Sequence, residues 1–359
     1  LKKVDGMSQE NKLSTLKQKY DVKLICITPF RDEQWMLHRF LSCALLWADM
    51  VILGDHNSTQ PYEDILDQHD RSRIRVVPVE MEGFNESALR NPLLQAAREI
   101  PGKKLLVFLD ADEVLSANFL SSPELHTILT AAEGTYIYTD WFQLNNNMLS
   151  GYNMPFDLAL IFMDDGISGY NMNRQFHGFR VPGDANEHIW NVINLHDINV
   201  VHYGPANLYR EKLKKYWYQC QEWLLENRKT TTQILRQYSL DPITLSDRDD
   251  QQQLPPAYFS SYLEAGIDMS SIATPSYNWQ EKQVLDSFSQ YGPAHFDLLD
   301  IWHHNWLRAS VKYGNENPVL LNPKRSFRGR LLRWYIRFTA NNHGHPVVKK
   351  IDGWVDHFF

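Results

Sequence analysis

Apolar positions along the chain follow two different periods, and they alternate. Residues 23–30 and 49–53 are near-continuous apolar runs, 73–80 carries Ile74, Val76 and Val79, and 104–110 is apolar up to its last residue. Between these runs, residues 34–47 place Trp35, Leu37, Phe40, Leu41, Ala44 and Leu45 at helical spacing. A short helix is expected at 61–68 and a longer one at 86–100, which Pro101 and Gly102 end. Four strands alternating with three helices predict an α/β fold. Its sheet should be mixed but mostly parallel, flanked by helices and joined by right-handed crossovers. Burial on both faces accounts for the unbroken apolar runs. Further strands are expected at 134–142, 158–163 and 199–203, adding antiparallel pairs at one side.

The pattern changes near Asn207. Residues 212–238 show an amphipathic helical repeat through Leu213, Tyr216, Trp217, Cys220, Trp223 and Leu224. Residues 241–256 are polar, acidic and Pro-ended, and the rest is rich in aromatics and mainly helical in pattern. The expected organisation is a polar lead-in or tag remnant at 1–21, an α/β catalytic domain at 22–206 and a helical C-terminal region at 207–359.

Composition narrows the class. With 43% apolar and 22% charged residues the chain has the balance of a globular protein rather than a disordered one. A net charge of -7 argues against a general nucleic-acid binder. Cys26, Cys43 and Cys220 are too scattered for a disulfide framework or a zinc site, which fits a reducing cytoplasm. No apolar run reaches the roughly 18 residues of a membrane span, and the opening residues lack an apolar leader.

The chemistry concentrates at 105–115, Leu-Leu-Val-Phe-Leu-Asp-Ala-Asp-Glu-Val-Leu. Three carboxylates (Asp110, Asp112, Glu113) arrive at the end of a buried strand, the edge where open α/β sheets bind ligands. Such a cluster is costly unless something positive sits among it. A divalent cation holding phosphate oxygens is one answer, and a solvated acidic turn is the bland alternative.

In order and spacing, four segments resemble the family 2 glycosyltransferases, which have the GT-A fold. They are Thr28-Pro29-Phe30-Arg31-Asp32-Glu33, Gly54-Asp55-His56-Asn57-Ser58-Thr59, Leu89-Arg90-Asn91-Pro92 and Asp110-Ala111-Asp112-Glu113. The resemblance covers about residues 22–206 and implies a GT-A-like domain that moves a sugar from a nucleoside-diphosphate sugar to a glycan, glycolipid or other hydroxyl acceptor, with inversion. It places Thr28, Pro29, Arg31, Asp55 and Arg90 against the nucleotide. It makes Asp110-Ala111-Asp112 the family's Asp-x-Asp motif, binding Mn²⁺ or Mg²⁺, with Asp110 also near the ribose and His202 as a further metal ligand. Gln60 stands where the family often has a second Asp. Glu187 resembles the family's acidic acceptor-site position and is the candidate base, with Asp164 and Asp165 as competitors. Trp141, Tyr152, Tyr170 and Trp190 lie where acceptors bind in that fold.

Two rival readings use the same residues. The Asp110-Ala111-Asp112 strand also resembles the first motif of haloacid-dehalogenase-type phosphatases, with Asp110 as nucleophile and Asp164-Asp165-Gly166 as their acidic final motif. That fold normally opens with its first motif, and no Lys occurs between Leu105 and Glu211 to offset phosphoryl charge. A non-catalytic carbohydrate- or lipid-binding module is the second alternative. Sugar nucleotidyltransferases need a Gly-rich loop after the first strand, which this chain lacks. Finally, residues 324–338 carry six positive charges and no negative one. As a helix they would suit peripheral contact with the inner face of a membrane and a lipid-linked acceptor, or pack with solvated arginines.

Overall fold

The computed structural model describes residues 9–81, 85–155, 159–170, 179–183, 191–225, 229–239, 250–273, 276–314 and 326–358. The chain forms two compact units, Leu1–Ala206 with Asp249–Pro275, and Asn207–Arg248 with Ser276–Phe359.

In the first unit the lead-in is not featureless: helix α1 (Gln9–Tyr20) precedes strand β1 (Val22–Phe30). Then follow α2 (Gln34–Ala44), β2 (Met50–Asp55), α3 (Glu63–Leu66), β3 (Ile74–Pro78), α4 (Glu86–Arg98) and β4 (Lys103–Phe108). The chain continues with β5 (Glu113–Leu115), α5 (Glu124–Leu129), β6 (Tyr136–Tyr138), β7 (Trp141–Leu144), β8 (Ser150–Met154), β9 (Ile161–Met163), β10 (Val192–Asn194) and β11 (Val200–His202). Among the described residues the main sheet has the order β10-β6-β9-β4-β1-β2-β3. Strands β1 to β4 are parallel, whereas β9 runs antiparallel to both β4 and β6. The alternation of side chains along these strands divides the core. Leu24, Cys26, Val51, Leu53, Leu105 and Val107 pack with Leu37, Phe40 and Leu41 of α2 on one face. Ile25, Ile27, Ile52, Leu106 and Phe108 meet Leu89, Leu93 and Leu94 of α4 on the other. This is the mixed, mostly parallel sheet flanked by helices that the apolar pattern predicts.

A second sheet, ordered β12-β8-β7-β11-β5 with β12 at Gln252–Gln253, has no counterpart in the sequence reading. The single strand expected at 134–142 is two strands, β6 in the main sheet and β7 in the second. Strand β11 lies between β5 (antiparallel) and β7 (parallel), so Glu113, His202 and Gln143 stand side by side in register. Tyr258, Phe259, Tyr262 and Met269 pack on Phe142, Leu144 and Tyr203, which ties the returning segment to this unit.

The second unit is mostly helical: α6 (Leu208–Leu224), α7 (Thr231–Tyr238), α9 (Trp279–Tyr291), α10 (Trp306–Lys312), α11 (Phe327–Phe338) and α12 (Pro346–Phe358), with the short α8 (Ser260–Glu264) belonging to the first unit. Its polar centre is Glu281, 2% exposed, which accepts from His304 Nε2 (2.7 Å), Lys312 Nζ (2.6 Å), Tyr313 Oη (2.8 Å) and Tyr209 Oη (3.1 Å). Among the described residues no helix is long and apolar enough to cross a membrane.

Candidate active site

Beyond the end of β4 the chain turns through Asp110, Ala111 and Asp112 into β5, and the three carboxylates meet different partners. Glu113 is fully buried. Its Oε2 accepts from Arg180 Nη1 (2.5 Å) and from the Asp110 backbone N–H (2.8 Å), and its Oε1 accepts from Arg180 Nη2 (3.0 Å). Arg180 Nη2 also donates to Asp110 Oδ2 (2.8 Å), and Arg90 Nη2 lies 3.6 Å from Asp110 Oδ1. The positive charge the cluster requires is therefore built into the protein for two of its three carboxylates. Burial pushes the Glu113 carboxyl upward and Arg180 pulls it back. For Arg180 burial works against the charge, but Asp110 and Glu113 more than offset it and hold the guanidinium above its ordinary value.

Arg180 was not found by sequence reasoning. It sits in a stretch with no periodicity, and its only advance signal was the need for a cation among the carboxylates. The fold aims it deliberately. Tyr170 Oη donates to the Arg180 carbonyl (2.7 Å), Gly183 N–H donates to the Gly169 carbonyl (2.7 Å), and the guanidinium rests over the Trp141 ring at 5.0 Å. The aromatics Trp141 and Tyr170 thus serve the arginine, and Tyr152 is buried.

Asp112 faces His202 instead. Its Oδ2 lies 3.5 Å from His202 Nε2, and its carbonyl accepts from Tyr203 N–H (2.8 Å). On the other side of the ring, His202 Nδ1 lies 2.8 Å from Gln143 Oε1, so with the amide oxygen as acceptor Nδ1 carries a proton and Nε2 is the ring nitrogen that faces Asp112. Stacking on Trp141, at 5.2 Å and 29°, fixes the ring plane. Gly204 keeps the approach open. A Cβ there would stand 2.6 Å from His202 Nε2 and 2.9 Å from Asp112 Oδ2. An oxygen and a nitrogen donor converge on one small space that only glycine leaves free. Among the described residues no group of three or more His, Cys, Asp or Glu side chains has the geometry to hold a metal ion. Asp112 and His202 supply one oxygen and one nitrogen donor, the ligand types that hold divalent cations.

The other candidates distribute unevenly along the parallel edge. Asp55 ends β2 on the same edge as Asp110, two strands away and so about 10 Å off. Its Oδ1 caps the loop through Ser58 N–H (2.9 Å) and its Oδ2 accepts from Tyr62 Oη (3.0 Å). Neighbouring Asp32, at φ 52°, accepts from the Thr59 and Gln60 N–H groups, each at 2.8 Å. Burial, with the charge of Arg31 beside it, lowers His56 to about 4, so this end of the edge holds a neutral imidazole. Thr28 does not reach the surface. It is fully buried between β2 and β4, with its hydroxyl 3.8 Å from Cys26 Sγ, whereas Pro29 and Arg31 are half-buried.

Asp165 and Asp164 lie elsewhere. Because β9 runs antiparallel to β4, the Asp164 N–H donates to the Lys104 carbonyl (3.0 Å), at the opposite end of β4 from Asp110 and about 20 Å away along the strand. Arg98 Nη2 grips Asp164 Oδ1 at 2.8 Å. Asp165 accepts from Ile167 N–H (2.9 Å), Ser168 N–H (2.9 Å) and Ser168 Oγ (2.5 Å). Burial would raise Asp165, but these hydrogen bonds and Arg98 hold it below the usual range, which makes it a weak base. The same placement separates Asp110 from the acidic motif that the phosphatase reading needs. Glu187 and Trp190 lie outside the described residues.

No family model and no curated protein matches the chain. Among solved structures it is similar to GalNAc-T7 with UDP, GalNAc and Mn²⁺, at 14% identity over 76% of this chain and 58% of that one, TM-score 0.36. It is also similar to glucosyl-3-phosphoglycerate synthase from Mycobacterium tuberculosis with Mn²⁺, UDP and glucosyl-3-phosphoglycerate, at 19% identity over 41% and 52%, TM-score 0.26. A third is mannosyl-3-phosphoglycerate synthase from Rubrobacter xylanophilus, at 14% identity over 36% and 44%, TM-score 0.27. The chain spans about half the length of the mycobacterial and Rubrobacter structures it matches.

Proposed function

We propose that the chain is a glycosyltransferase that uses a divalent cation, Mn²⁺ or Mg²⁺, to move a sugar from a nucleoside-diphosphate sugar to a glycan or lipid-linked hydroxyl acceptor, with inversion. The observation that carries this reading is the pairing of Asp112 Oδ2 with His202 Nε2 at 3.5 Å, in the space Gly204 keeps open, beyond the carboxyl end of β4. Asp112 and His202 would hold the cation. Bound there, it would supply Lewis-acid stabilisation of the diphosphate leaving group.

The chain's own residues set the rest. Gln143 fixes the His202 tautomer, and Trp141 fixes its ring plane. Arg180 and Arg90 hold Asp110 on the rim of the site, where its carboxylate, about one-third exposed, is available to ribose hydroxyls or ordered water. The Asp55 loop and Arg31 form the edge two strands away that suits the base. Inversion requires a carboxylate base on the acceptor side, for which Glu187 is the candidate.

The reading is tested by release of nucleoside diphosphate from a panel of UDP-, GDP- and dTDP-sugars with Mn²⁺. His202→Ala should abolish release. Gln143→Ala, which removes only the partner that orients the ligand, should raise the Mn²⁺ concentration needed by roughly 10–100-fold and leave the saturated rate nearly intact. Equal Mn²⁺ dependence in wild type and Gln143→Ala would reject His202 as a ligand. No turnover of any sugar nucleotide, with glycan and lipid-linked acceptors supplied, would favour a binding module.

A further inference from the structure

Helices α11 and α12 of the second unit carry an apolar stripe on the outside as well as apolar residues in the core. On a globular surface the apolar stripe faces the core and the charged residues face water. Here α11 turns Leu332, Ile336 and the buried Arg333 inward, and Arg333 Nη1 donates to the Leu299 carbonyl (3.0 Å). Arg333 therefore does not share an exposed face with Arg330 and Arg337, as a plain helical wheel suggests. Outward stand Phe327, Leu331, Trp334 and Phe338, at 72%, 47%, 59% and 74% exposure.

The second helix repeats the arrangement. Its carboxylates point inward: Asp352 accepts from Arg236 Nη2 (2.7 Å) and Tyr335 Oη (2.8 Å), and Asp356 accepts from Thr232 N–H (2.8 Å) and Oγ1 (2.7 Å). Its outward residues are Val347, Ile351, Trp354 and Phe358, at 58%, 36%, 63% and 76% exposure. Both stripes have the spacing i, i+4, i+7, i+11, so each is one continuous helix face.

Charge identifies the occupant. Asp352 and Asp356 are the only acids between residues 326 and 358, and both are consumed internally, whereas Arg328, Arg330, Arg337, Lys349 and Lys350 are exposed. Beside the first stripe a groove of about 450 Å³ is lined by His303, Arg330, Arg333, Trp334, Arg337 and Phe338. Asp300 is the carboxylate beneath it, 3.7 Å from Arg333 Nε and 3.4 Å from Arg337 Nη2. Of the three guanidinium groups that line the groove, Arg333 and Arg337 pair with Asp300, and the exposed Arg330 adds a further positive charge.

We propose that this face docks on an anionic lipid bilayer, with the two aromatic stripes at the acyl boundary and the groove on a headgroup phosphate. A second copy of the chain fits less well, because pairing like faces would bring two sets of cations together. In a chain of net charge -7, attraction to an anionic surface has to come from such a local patch. The inference does not depend on the transferase reading.

The test is co-sedimentation of the 359-residue chain with vesicles of phosphatidylcholine containing phosphatidylglycerol, and of phosphatidylcholine alone. The chain should bind the anionic vesicles and be released by salt. Trp334→Ser with Trp354→Ser should weaken binding by about tenfold or more, since both rings are exposed and their loss leaves the fold intact. Arg328→Gln with Arg330→Gln should weaken binding to the anionic vesicles by a similar factor. Circular dichroism and the nucleotide-dependent thermal shift of both variants should match wild type, so this face and the sugar-nucleotide site are judged separately. Absence of vesicle binding, or binding that neither variant changes, would overturn the proposal. So would a dimer in sedimentation velocity that the double Trp variant dissolves, which would make the face an interface between copies.

Discussion

Replacing Arg180 with leucine tests how the carboxylate cluster is paid for. The change removes donors at 2.5 and 3.0 Å from Glu113 and one at 2.8 Å from Asp110. Asp110 is about one-third exposed and can recover water, so little of the loss arises there. Glu113 is fully buried and keeps only the Asp110 N–H as a donor among these contacts. Breaking a buried pair by removing one partner costs about 3–5 kcal/mol. For a unit of this size that is a fall of roughly 10 °C in Tm. The pH dependence is the sharper signature. Burial already raises the folded Glu113 carboxyl, and removing Arg180 raises it further. Below the unfolded carboxyl value, about 4.3, both states are protonated and the penalty vanishes; it grows as pH rises through the folded value. Urea unfolding followed by circular dichroism should therefore show a variant-minus-wild-type gap that is small near pH 4 and widens as the pH is raised. Adding Glu113→Gln, which leaves no charge to bury, should recover at least half of the loss. A gap that does not change with pH, or no recovery by Glu113→Gln, would refute the assignment of Arg180 as the internal counter-ion.

Three other outcomes follow from the same geometry. Gly204→Ala places a methyl 2.6 Å from His202 Nε2, against a ring that Gln143 and Trp141 hold in place; Mn²⁺-dependent nucleotide affinity by calorimetry should fall at least tenfold, with a stability loss of about 1–3 kcal/mol. Asp165→Ala should lower Tm through loss of its turn but leave the turnover number unchanged, and a rate loss above tenfold would return Asp165 to the reacting centre. Although burial opposes it, the bonds from His304, Lys312 and Tyr313 hold Glu281 at about 2, so its stabilisation is present above the unfolded value of about 4.3 and is lost as pH falls toward 2. Acid unfolding of the helical unit should shift to lower pH or broaden less in wild type than in Glu281→Gln, and identical acid profiles would count against the network.

The core of the first unit was legible because parallel strands buried on both faces leave long apolar runs, and α2 and α4 carry clean helical periods. The second sheet was not legible. Strands β5 and β11 are three residues each, too short for alternation to register, and the run at 134–142 hides a change of sheet at Thr139 and Asp140. The same limit decided the site. Asp110, Asp112 and Glu113 announce themselves by crowding at a strand end, whereas Arg90 lies inside α4 (Glu86–Arg98), a turn beyond its start, and comes within 3.6 Å of Asp110 Oδ1. Arg180 acts from an aperiodic segment about 70 residues away, which no local pattern reports. Asp165 lies apart from Asp110 for a topological reason. It too follows an apolar strand, but that strand is antiparallel to β4, so its end is the far edge of the sheet. Thr28 lies within β1, where both faces of the sheet are covered, and its side chain is fully buried.

The central claim is that Asp112 and His202 hold a cation for a nucleoside diphosphate. The most direct measurement is a thermal-shift screen of UDP, GDP, dTDP and CMP, each with Mn²⁺ and with EDTA, in wild type and Asp112→Asn. One nucleoside diphosphate should stabilise the wild type, with the effect lost in EDTA and lost in Asp112→Asn while the variant's own Tm is unchanged. Stabilisation that survives both EDTA and Asp112→Asn, or none with any nucleotide, would contradict it.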